Sequence, residues 1–233
     1  MRIAEIFRSL QGEGLLTSTP SVFVRASGCN LRCGFCDTPY TSWEPEGEDF
    51  SVEEILQRVD DLLGAGKPCR HAVLTGGEPM LFAELVPLAA ALRSRGLHIT
   101  VETAGTLYLP LACDLMSISP KLSNSTPPES RDPHWNRRHE RSRNVPEVIR
   151  QLVRDYAYQI KFVIDSPRDC VAVETWLAGF PEIERSRVQL MPQGVDVETL
   201  ERQANWLMPY CEKNRLQFCP RKHIEWFGNI RGA

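Results

Sequence analysis

Short apolar segments alternate with amphipathic helical segments along most of this 233-residue chain. Apolar runs rich in β-branched residues predict strands at 21–25, 71–75, 98–103, 114–119, 159–164, 188–191 and 216–219. Apolar residues at helical spacing predict helices at about 83–95, 146–157, 167–178 and 196–212. Strands separated by helices pair in parallel through right-handed crossovers, so the pattern predicts an α/β fold, either a barrel or an open sheet.

The most clearly marked helix follows Ser51, which is a predicted N-cap because Glu54 stands three residues later. Gly64 and Gly66 are predicted to end this helix. Its apolar stripe consists of Val52, Ile55, Leu56, Val59, Leu62 and Leu63. Such a stripe predicts that one face of the helix packs against a core.

The composition is that of an ordinary globular protein, with 42% hydrophobic and 24% charged residues. No apolar run approaches the roughly 18 to 20 residues of a membrane span, so we expect a single cytoplasmic domain over residues 1–233. The formal charge of -3 gives no general attraction to nucleic acid or to an anionic membrane surface. A small-molecule substrate is therefore predicted, with neither nucleic acid nor membrane as a partner.

Three of the eight cysteines stand close together, as Cys29, Cys33 and Cys36. Thiolates suit iron–sulfur centres, and three thiolates are one short of the four that fully ligate a cubane cluster, which leaves one iron open. A disulfide and a zinc ion stay open as alternatives, although a disulfide cannot pair three cysteines and zinc needs a fourth ligand. The other cysteines have no ligand spacing and are expected to be reduced and mostly buried: Cys69, Cys113, Cys170, Cys211 and Cys219.

The CxxxCxFC form of the triplet resembles the signature of radical S-adenosylmethionine (SAM) enzymes. The longer run Gly28 to Trp43 and the opening Glu5 to Gly14 resemble the 7-carboxy-7-deazaguanine synthase family over nearly the whole chain. The resemblance implies a partial (β/α)6 TIM-like barrel, a 4Fe-4S cluster on the cysteines and SAM on the open iron. It also implies a carbon–nitrogen lyase that converts 6-carboxy-5,6,7,8-tetrahydropterin to 7-carboxy-7-deazaguanine with loss of ammonia, in 7-deazapurine and queuosine biosynthesis.

By resemblance, the pterin substrate contacts the opening segment, two strand ends and the tail, at Leu10, Gln11, Gly12, Glu13, Arg25, Thr75 and His223. A guanidinium suits a carboxylated substrate because it can bind a carboxylate through two parallel hydrogen bonds. Taken alone, the segment from Gln11 to Gly14 fits a plain turn before a strand, and His223 fits a buried structural histidine.

The resemblance assigns SAM to loops near the cysteines and after strand ends, at Phe35, Asp37, Gly76, Gly77, Glu78, Glu102, Ser119, Pro120, Lys121, Met191, Pro192, Gln193 and Gly194. The Gly76–Pro79 turn resembles the GGEP element, whose exposed backbone groups bind the methionine part of SAM. Position 104 is Ala, where the family usually has Asn. Glu102 alone fits a surface ion pair equally well, but loops after strand ends are where barrel enzymes place their sites, so we expect these loops to converge.

Thr38 is assigned to a Mg²⁺ ion through the family match at Cys36-Asp37-Thr38. Magnesium keeps several waters and is commonly held by few protein ligands, so one hydroxyl is enough. A turn threonine before Pro39 is the simpler alternative. The resemblance further implies a homodimer and an electron donor such as flavodoxin or ferredoxin.

Residues 123–145 contain several prolines and five arginines, and they lack apolar periodicity. This predicts an irregular insertion, either a long loop or a lid. A solvated surface segment is expected, and holding an anion or docking a partner is the alternative.

Two other functions stay open on the cysteine triplet alone. A glycyl-radical-enzyme activase shares CxxxCxxC, but the continuation Asp37 to Tyr40 and the opening Gln11 to Glu13 speak against it. A non-catalytic iron–sulfur electron-transfer protein would need a fourth ligand and would have no use for the Gly76–Pro79 turn.

Overall fold

The computed structural model describes residues 1–64 and 68–232. Within them one open sheet contains nine strands: β1 (Arg2–Leu10), β2 (Pro20–Ala26), β3 (Glu48–Asp49), β4 (His71–Gly76), β5 (His98–Thr103), β6 (Leu115–Ile118), β7 (Tyr158–Ile164), β8 (Val188–Pro192) and β9 (Gln217–Phe218). Their order across the sheet is β3-β1-β2-β4-β5-β6-β7-β8-β9. Strand β1 is antiparallel to both of its neighbours, whereas all neighbours from β2 to β9 are parallel.

The helices are α1 (Pro39–Ser42), α2 (Val52–Gly64), α3 (Leu85–Ser94), α4 (Pro133–Ser142), α5 (Pro146–Asp155), α6 (Pro167–Ala178), α7 (Val197–Asn214) and α8 (Lys222–Phe227). Short 3-10 turns occupy Pro79–Leu81, Ser123–Ser125 and Arg185–Arg187. None of the helices in the described ranges is both long and apolar enough to cross a membrane.

The expected partial (β/α)6 barrel is confirmed by six parallel neighbouring strands, β2, β4, β5, β6, β7 and β8. Helices α2, α3, α5 and α6 lie between successive members of this set, and α7 follows its last strand, β8. The crossover from β5 to β6 differs, because residues 104–114 form no helix. The antiparallel β1 covers one edge of the parallel set and carries the loop with Gln11 and Glu13.

The core lies between the sheet and the apolar faces of the helices. Val59 of α2 and Leu88 of α3 are fully buried in one cluster with Leu74 of β4. Strand β4 is buried on both faces, as expected for a strand inside a parallel sheet. The core thus holds the strands in place while their carboxyl ends stay available for loops.

The predicted capping box of α2 is confirmed. Ser51 N–H donates to Glu54 Oε2 at 2.7 Å, and Glu54 N–H donates to Ser51 Oγ at 3.2 Å. These bonds satisfy backbone groups that a helix start leaves unpaired. The helix ends at Gly64, as predicted, while Gly66 lies outside the described residues.

The prediction of an irregular insertion over 123–145 is wrong in part, because ten of these residues form α4. The segment from Pro133 to Ser142 shows no apolar stripe, and His139 is its one buried residue. Asp132 begins the helix by accepting a hydrogen bond from Trp135 N–H at 2.9 Å. Polar contacts rather than apolar periodicity therefore hold this helix.

Strand β1 was not predicted. Its pairing with β2 shifts register between Ile3 and Glu5, which interrupts the period of two that marks a strand. The short elements α1, β3 and α8 were not predicted either. The remaining differences are limited to ends: α3 begins at Leu85 rather than near 83, and β9 covers only Gln217–Phe218.

Candidate active site

A cavity of about 500 Å³ opens at the carboxyl ends of the parallel strands. Residues at the ends of β4, β5 and β8 line it together with the cysteine loop, the loop after β1 and the C-terminal tail. Nearly all residues predicted to bind substrate, SAM or metal lie on its wall. The exceptions are Glu78, Pro120, Pro192 and Gly194. The prediction that the strand-end loops converge on one site is therefore confirmed for their positions.

Cys29, Cys33 and Cys36 all line the cavity, and all eight cysteines are free. Burial raises the pKa of Cys29 and Cys33 to about 12, so both carry protons until a metal displaces them. Within residues 1–64 and 68–232, no three His, Cys, Asp or Glu side chains converge as they would around a single metal ion. A cubane does not require this, since each cysteine ligates a different iron. The triplet therefore fits a cluster facing the cavity.

Two glycines bring the turn after β4 against the cysteine loop. Gly77 N–H donates to Ala26 O at 3.0 Å, and Glu78 N–H donates to Gly28 O at 2.8 Å. A Cβ on Gly77 would collide with the Gly28 carbonyl, and Gly76 has a φ of +131° that favours glycine. Only glycine at both positions lets the predicted SAM-binding turn lie this close to the cysteines.

Glu78 is buried behind the cavity wall rather than on it. Its carboxylate accepts hydrogen bonds from Thr103 Oγ1 at 2.9 Å, Ala104 N at 2.9 Å and Met80 N at 3.1 Å. Burial raises the pKa of Glu78, and these donors oppose the rise. The side chain thus ties the turn after β4 to the end of β5, and contact with SAM stays a prediction for the backbone of the turn.

Glu13 and Glu102 approach each other through the ammonium group of Lys161. Lys161 Nζ lies 3.1 Å from Glu13 Oε2 and 3.0 Å from Glu102 Oε1, and Thr75 Oγ1 donates to Glu102 Oε2 at 2.8 Å. Burial alone would raise the pKa of Glu13, but Lys161 and Arg221 hold it well below its usual range. Burial lowers the pKa of Lys161, and the two carboxylates more than reverse that effect. Glu13 and Lys161 are therefore both ionised at neutral pH.

Arg221 connects three of the predicted loops. Its guanidinium is 6% exposed, and it donates to Glu13 Oε1 at 3.2 Å, to Asp37 Oδ2 at 2.5 Å and to the Gly194 carbonyl at 2.5 Å. One buried cation therefore links the loop after β1, the cysteine loop and the loop after β8. The Gly194 carbonyl is thus held by Arg221 behind the cavity wall, and contact of Gly194 with SAM stays a prediction.

His223 lies beside Glu13, with Nδ1 3.8 Å from Glu13 Oε1. Burial lowers the pKa of His223, while Glu13 opposes the shift. The tail is held here because Lys222 N–H donates to Gly12 O at 2.8 Å, and a Cβ at Gly12 would collide with His223. Gln11 lines the same wall, and its amide nitrogen donates to Ser21 Oγ at 2.9 Å.

Arg25 also lines the cavity, where it forms an ion pair with Glu5. The Arg25 Nε donates to Glu5 Oε1 at 2.6 Å, and the Tyr40 hydroxyl donates to the same oxygen at 2.8 Å. Arg231 from the tail lies 3.6 Å from Glu5 Oε2 and stacks over the Tyr40 ring at 4.1 Å. The pairing orients the Arg25 guanidinium, which stacks 5.6 Å above the Phe7 ring.

Several other predicted positions also lie on the cavity wall. Lys121 Nζ donates to Ser119 Oγ at 2.7 Å, and both side chains line the cavity. The Thr38 hydroxyl also lines the cavity, 3.8 Å from Cys36 Sγ, and accepts from Thr41 Oγ1 at 3.2 Å. Leu10, Phe35, Met191 and Gln193 complete the predicted wall.

Lys161, Arg221, Glu5 and Tyr40 belong to the site although no role was predicted for them. Lys161 carried a signal, since a charged residue inside the apolar segment Tyr158–Ile164 requires a partner when buried. Glu5 and Tyr40 lie inside segments that carry the family resemblance, whereas Arg221 lies in the C-terminal tail. Their partners come from distant parts of the chain, so the pairing could not be inferred from local pattern.

The chain is similar in sequence to proteins of one superfamily. Residues 23–156 match the radical SAM superfamily. The 7-carboxy-7-deazaguanine synthase of Rhodopirellula baltica is 46% identical over 99% of this chain and 88% of its own length, and that of Halobacterium salinarum is 42% identical over 95% and 88%.

The fold has solved counterparts as well. The crystal structure of QueE from Escherichia coli aligns with a TM-score of 0.69 and 24% identity, over 95% of this chain and 94% of that one. A structure of TYW1 with a lysine-pyruvate adduct bound aligns with a TM-score of 0.51 over 81% and 73%. Given these matches over almost its full length, the chain belongs to the 7-carboxy-7-deazaguanine synthase family of the radical SAM superfamily.

Proposed function

We propose that this chain converts 6-carboxy-5,6,7,8-tetrahydropterin to 7-carboxy-7-deazaguanine with loss of ammonia. The observation that carries the proposal is one cavity lined both by the three clustered cysteines and by the charged side chains Arg25, Glu13 and Glu102. The names of the relatives favour this reaction over a glycyl-radical-enzyme activase and over an electron carrier. A cavity of about 500 Å³ also suits a small-molecule substrate together with part of a cofactor.

Cys29, Cys33 and Cys36 would hold the 4Fe-4S cluster, and the strand-end loops would hold SAM. Together these cofactors supply, when bound, a radical that can abstract a hydrogen atom from carbon. The chain's part is to bind the pterin in a fixed orientation near them. The backbone of Gly76 and Gly77 adjoins the cysteine loop, which supports the predicted placement of SAM beside the cluster.

Arg25 is the proposed partner of the substrate carboxylate. Glu5 contacts its Nε, and no other hydrogen bond of the Arg25 side chain occurs among the described residues. The two terminal nitrogens are therefore available for a carboxylate, which a guanidinium binds through parallel hydrogen bonds. Glu5 and Tyr40 keep this group in one position before the substrate arrives.

Glu13 is the proposed acceptor for N–H groups of the pterin ring, and we add Glu102, which the resemblance assigned to SAM, because its carboxylate shares Lys161 with Glu13. A carboxylate accepts such bonds well only when it is ionised, and charge-assisted bonds are roughly twice as strong as neutral ones. Lys161 helps to keep Glu13 ionised and fixes the distance between the two carboxylates. Substrate orientation thus depends on Lys161, which has no predicted contact with the pterin of its own.

Several finer features belong to the same proposal. The reaction is that of a carbon–nitrogen lyase, and Thr38 would supply one oxygen ligand to a Mg²⁺ ion that also binds substrate oxygens. A reducing electron is required, for which a flavodoxin or ferredoxin is proposed. A cytoplasmic homodimer is proposed from the family resemblance.

The decisive experiment uses protein reconstituted anaerobically with iron and sulfide. It is given a reductant, SAM, Mg²⁺ and 6-carboxytetrahydropterin, and the products are identified by liquid chromatography and mass spectrometry. We expect 7-carboxy-7-deazaguanine and one equivalent of ammonia per turnover. Intact cluster and bound SAM without any conversion of this pterin would contradict the proposal.

A further inference from the structure

The segment of residues 123–143, which contains α4, lies over the cysteine loop. Ser125 O accepts a hydrogen bond from Gly34 N–H at 2.8 Å, and Arg131 Nη1 donates to Gly34 O at 3.3 Å. The Arg131 guanidinium also lies 3.8 Å above the Trp43 ring, whose Nε1 donates to the Cys33 carbonyl at 3.0 Å. The peptide groups beside the middle cysteine are therefore bonded to groups outside the loop.

His139 is the central contact of this segment with the loop. The ring is fully buried, its Nδ1 accepts from Arg32 N–H at 3.1 Å, and its Nε2 lies 2.9 Å from Ser125 Oγ. Because Nδ1 accepts, Nε2 carries the proton and donates to Ser125, whose hydroxyl in turn donates to the Leu122 carbonyl at 2.6 Å. Burial, with a smaller effect of Arg143, lowers the pKa of His139 to about 4, so the neutral ring persists at neutral pH.

Arg32 adds a second layer to the same contact. Its Nη1 donates to the Cys29 carbonyl at 2.7 Å, and its guanidinium lies 4.2 Å above the Trp135 ring of α4. Arg138 lies 4.6 Å from the same ring. The first cysteine is thus connected to α4 through Arg32, and the second is connected to Ser125 and Arg131, before α4, through Gly34 and Trp43.

We infer that residues 123–143 anchor the cysteine loop in its cluster-binding shape and that His139 is the positioning residue at the centre of this anchor. The inference rests on the proposed cluster and deepens it. A ligand loop that is fixed by outside hydrogen bonds rebinds an iron quickly after a Cys–Fe bond opens, whereas a free loop moves away. The segment that looked like a solvated insertion therefore retains the cluster.

The first test compares His139→Leu with His134→Leu. Leucine keeps the bulk but leaves the buried Arg32 N–H and Ser125 Oγ without their partner. His134 lies on the same helix, is exposed, and makes no hydrogen bond with the loop among the described residues.

Iron release from the reconstituted protein to a chelator is followed by absorbance, well below the unfolding temperature of the cluster-free form. We expect release about ten-fold faster for His139→Leu, unchanged release for His134→Leu, and slower release again for His139→Gln, whose amide can accept and donate.

A second pair of variants tests the same inference if His139→Leu fails to fold. Arg131→Ala removes an exposed side chain that contacts Gly34 and Trp43, whereas Arg137→Ala removes an exposed arginine of α4 whose one ion pair among the described residues is with Glu129 at 3.8 Å. We expect faster release for Arg131→Ala alone. Wild-type release rates in both Arg131→Ala and a folded His139→Leu would overturn the anchor. If the wild-type protein binds no 4Fe-4S cluster at all, the proposed function fails instead, and iron and sulfide content distinguish the two results.

Discussion

Lys161 Nζ lies 3.1 Å from Glu13 Oε2, although the two residues are 148 positions apart in the chain. Glu13 comes from the loop after β1 and Lys161 from the interior of β7, and Glu102 of β5 shares the same ammonium group at 3.0 Å. The Lys161 side chain is only 5% exposed. This buried cation helps to keep Glu13 ionised and sets the separation of the two carboxylates, which makes Lys161 the best single position at which to test the substrate site.

We expect Lys161→Met to weaken pterin binding by about ten-fold or more and to make binding sensitive to mild acid. The cation holds the pKa of Glu13 below its usual value together with Arg221, against the effect of burial, so its removal raises that pKa. His223, Cys219 and Asp37 are the other titratable groups nearby. The pH dependence of the substrate Kd, measured with SAM bound, checks this. Lys213→Met on the exposed end of α7 is the control, and an unchanged pH profile in Lys161→Met would refute the assignment.

The same variant should lose stability in a pH-dependent way. Because the pKa of Glu13 is lower in the folded protein than its usual 4.5, its ionisation stabilises the fold above about pH 4.5 and this contribution is lost as the pH falls. Breaking a buried ion pair by removing one partner costs about 3 kcal/mol or more. Urea unfolding of cluster-free protein should therefore show a large difference between wild type and Lys161→Met at pH 7 and a smaller one at pH 4. Equal differences at both values would contradict the ionised pair.

Each of Cys29→Ala, Cys33→Ala and Cys36→Ala should abolish the charge-transfer absorbance of the reconstituted protein. The three thiols line one cavity, and thiolates are the ligands that iron–sulfur clusters prefer. Cys211→Ala is the matched control, because Cys211 is buried in the core away from the cavity wall. Retention of a 4Fe-4S spectrum in any motif variant, or its loss in Cys211→Ala, would show that the ligand set is different.

The sequence was sufficient to predict the barrel, because its apolar periodicity marks the main strands and helices. Most predicted strand and helix ends agree with the structure within a few residues. Loops after parallel strands necessarily meet at one edge of the sheet, so the Gly76 turn, Ser119 and Met191 could be placed together without any distance information. Local pattern and topology therefore predicted where the site lies.

The same pattern could not predict side chains that act through distant partners. Arg221 joins Glu13, Asp37 and Gly194, and none of these is near it in the sequence. Helix α4 lacks an apolar stripe because its buried contact is a histidine hydrogen-bonded to the cysteine loop. Such features follow from the folded geometry, in which one buried polar group must find a partner wherever the chain supplies it.

Arg25→Ala should raise the substrate Kd by ten-fold or more while the cluster and SAM binding are kept. The guanidinium is the proposed partner of the pterin carboxylate, and a charge-assisted pair inside a cavity contributes about 1.5 to 3 kcal/mol. Arg25→Lys, which cannot form two parallel bonds, should recover only part of the affinity. Arg2→Ala, an exposed arginine of β1, is the control. Unchanged affinity in Arg25→Ala would assign Arg25 to pairing with Glu5 alone.

Thr38 lines the cavity, and its hydroxyl lies 3.8 Å from Cys36 Sγ. We expect turnover to need Mg²⁺ after thorough chelation, because an ion held by one protein oxygen, waters and substrate oxygens would fix the substrate for hydrogen transfer. Thr38→Ala should keep the cluster and SAM binding but lose the stimulation by Mg²⁺, whereas Thr38→Ser should keep most of it. Thr41→Ala, which removes the hydroxyl that donates to Thr38, is the matched control. If Thr38→Ala responds to the ion as the wild type does, Thr38 serves only as a turn residue before α1.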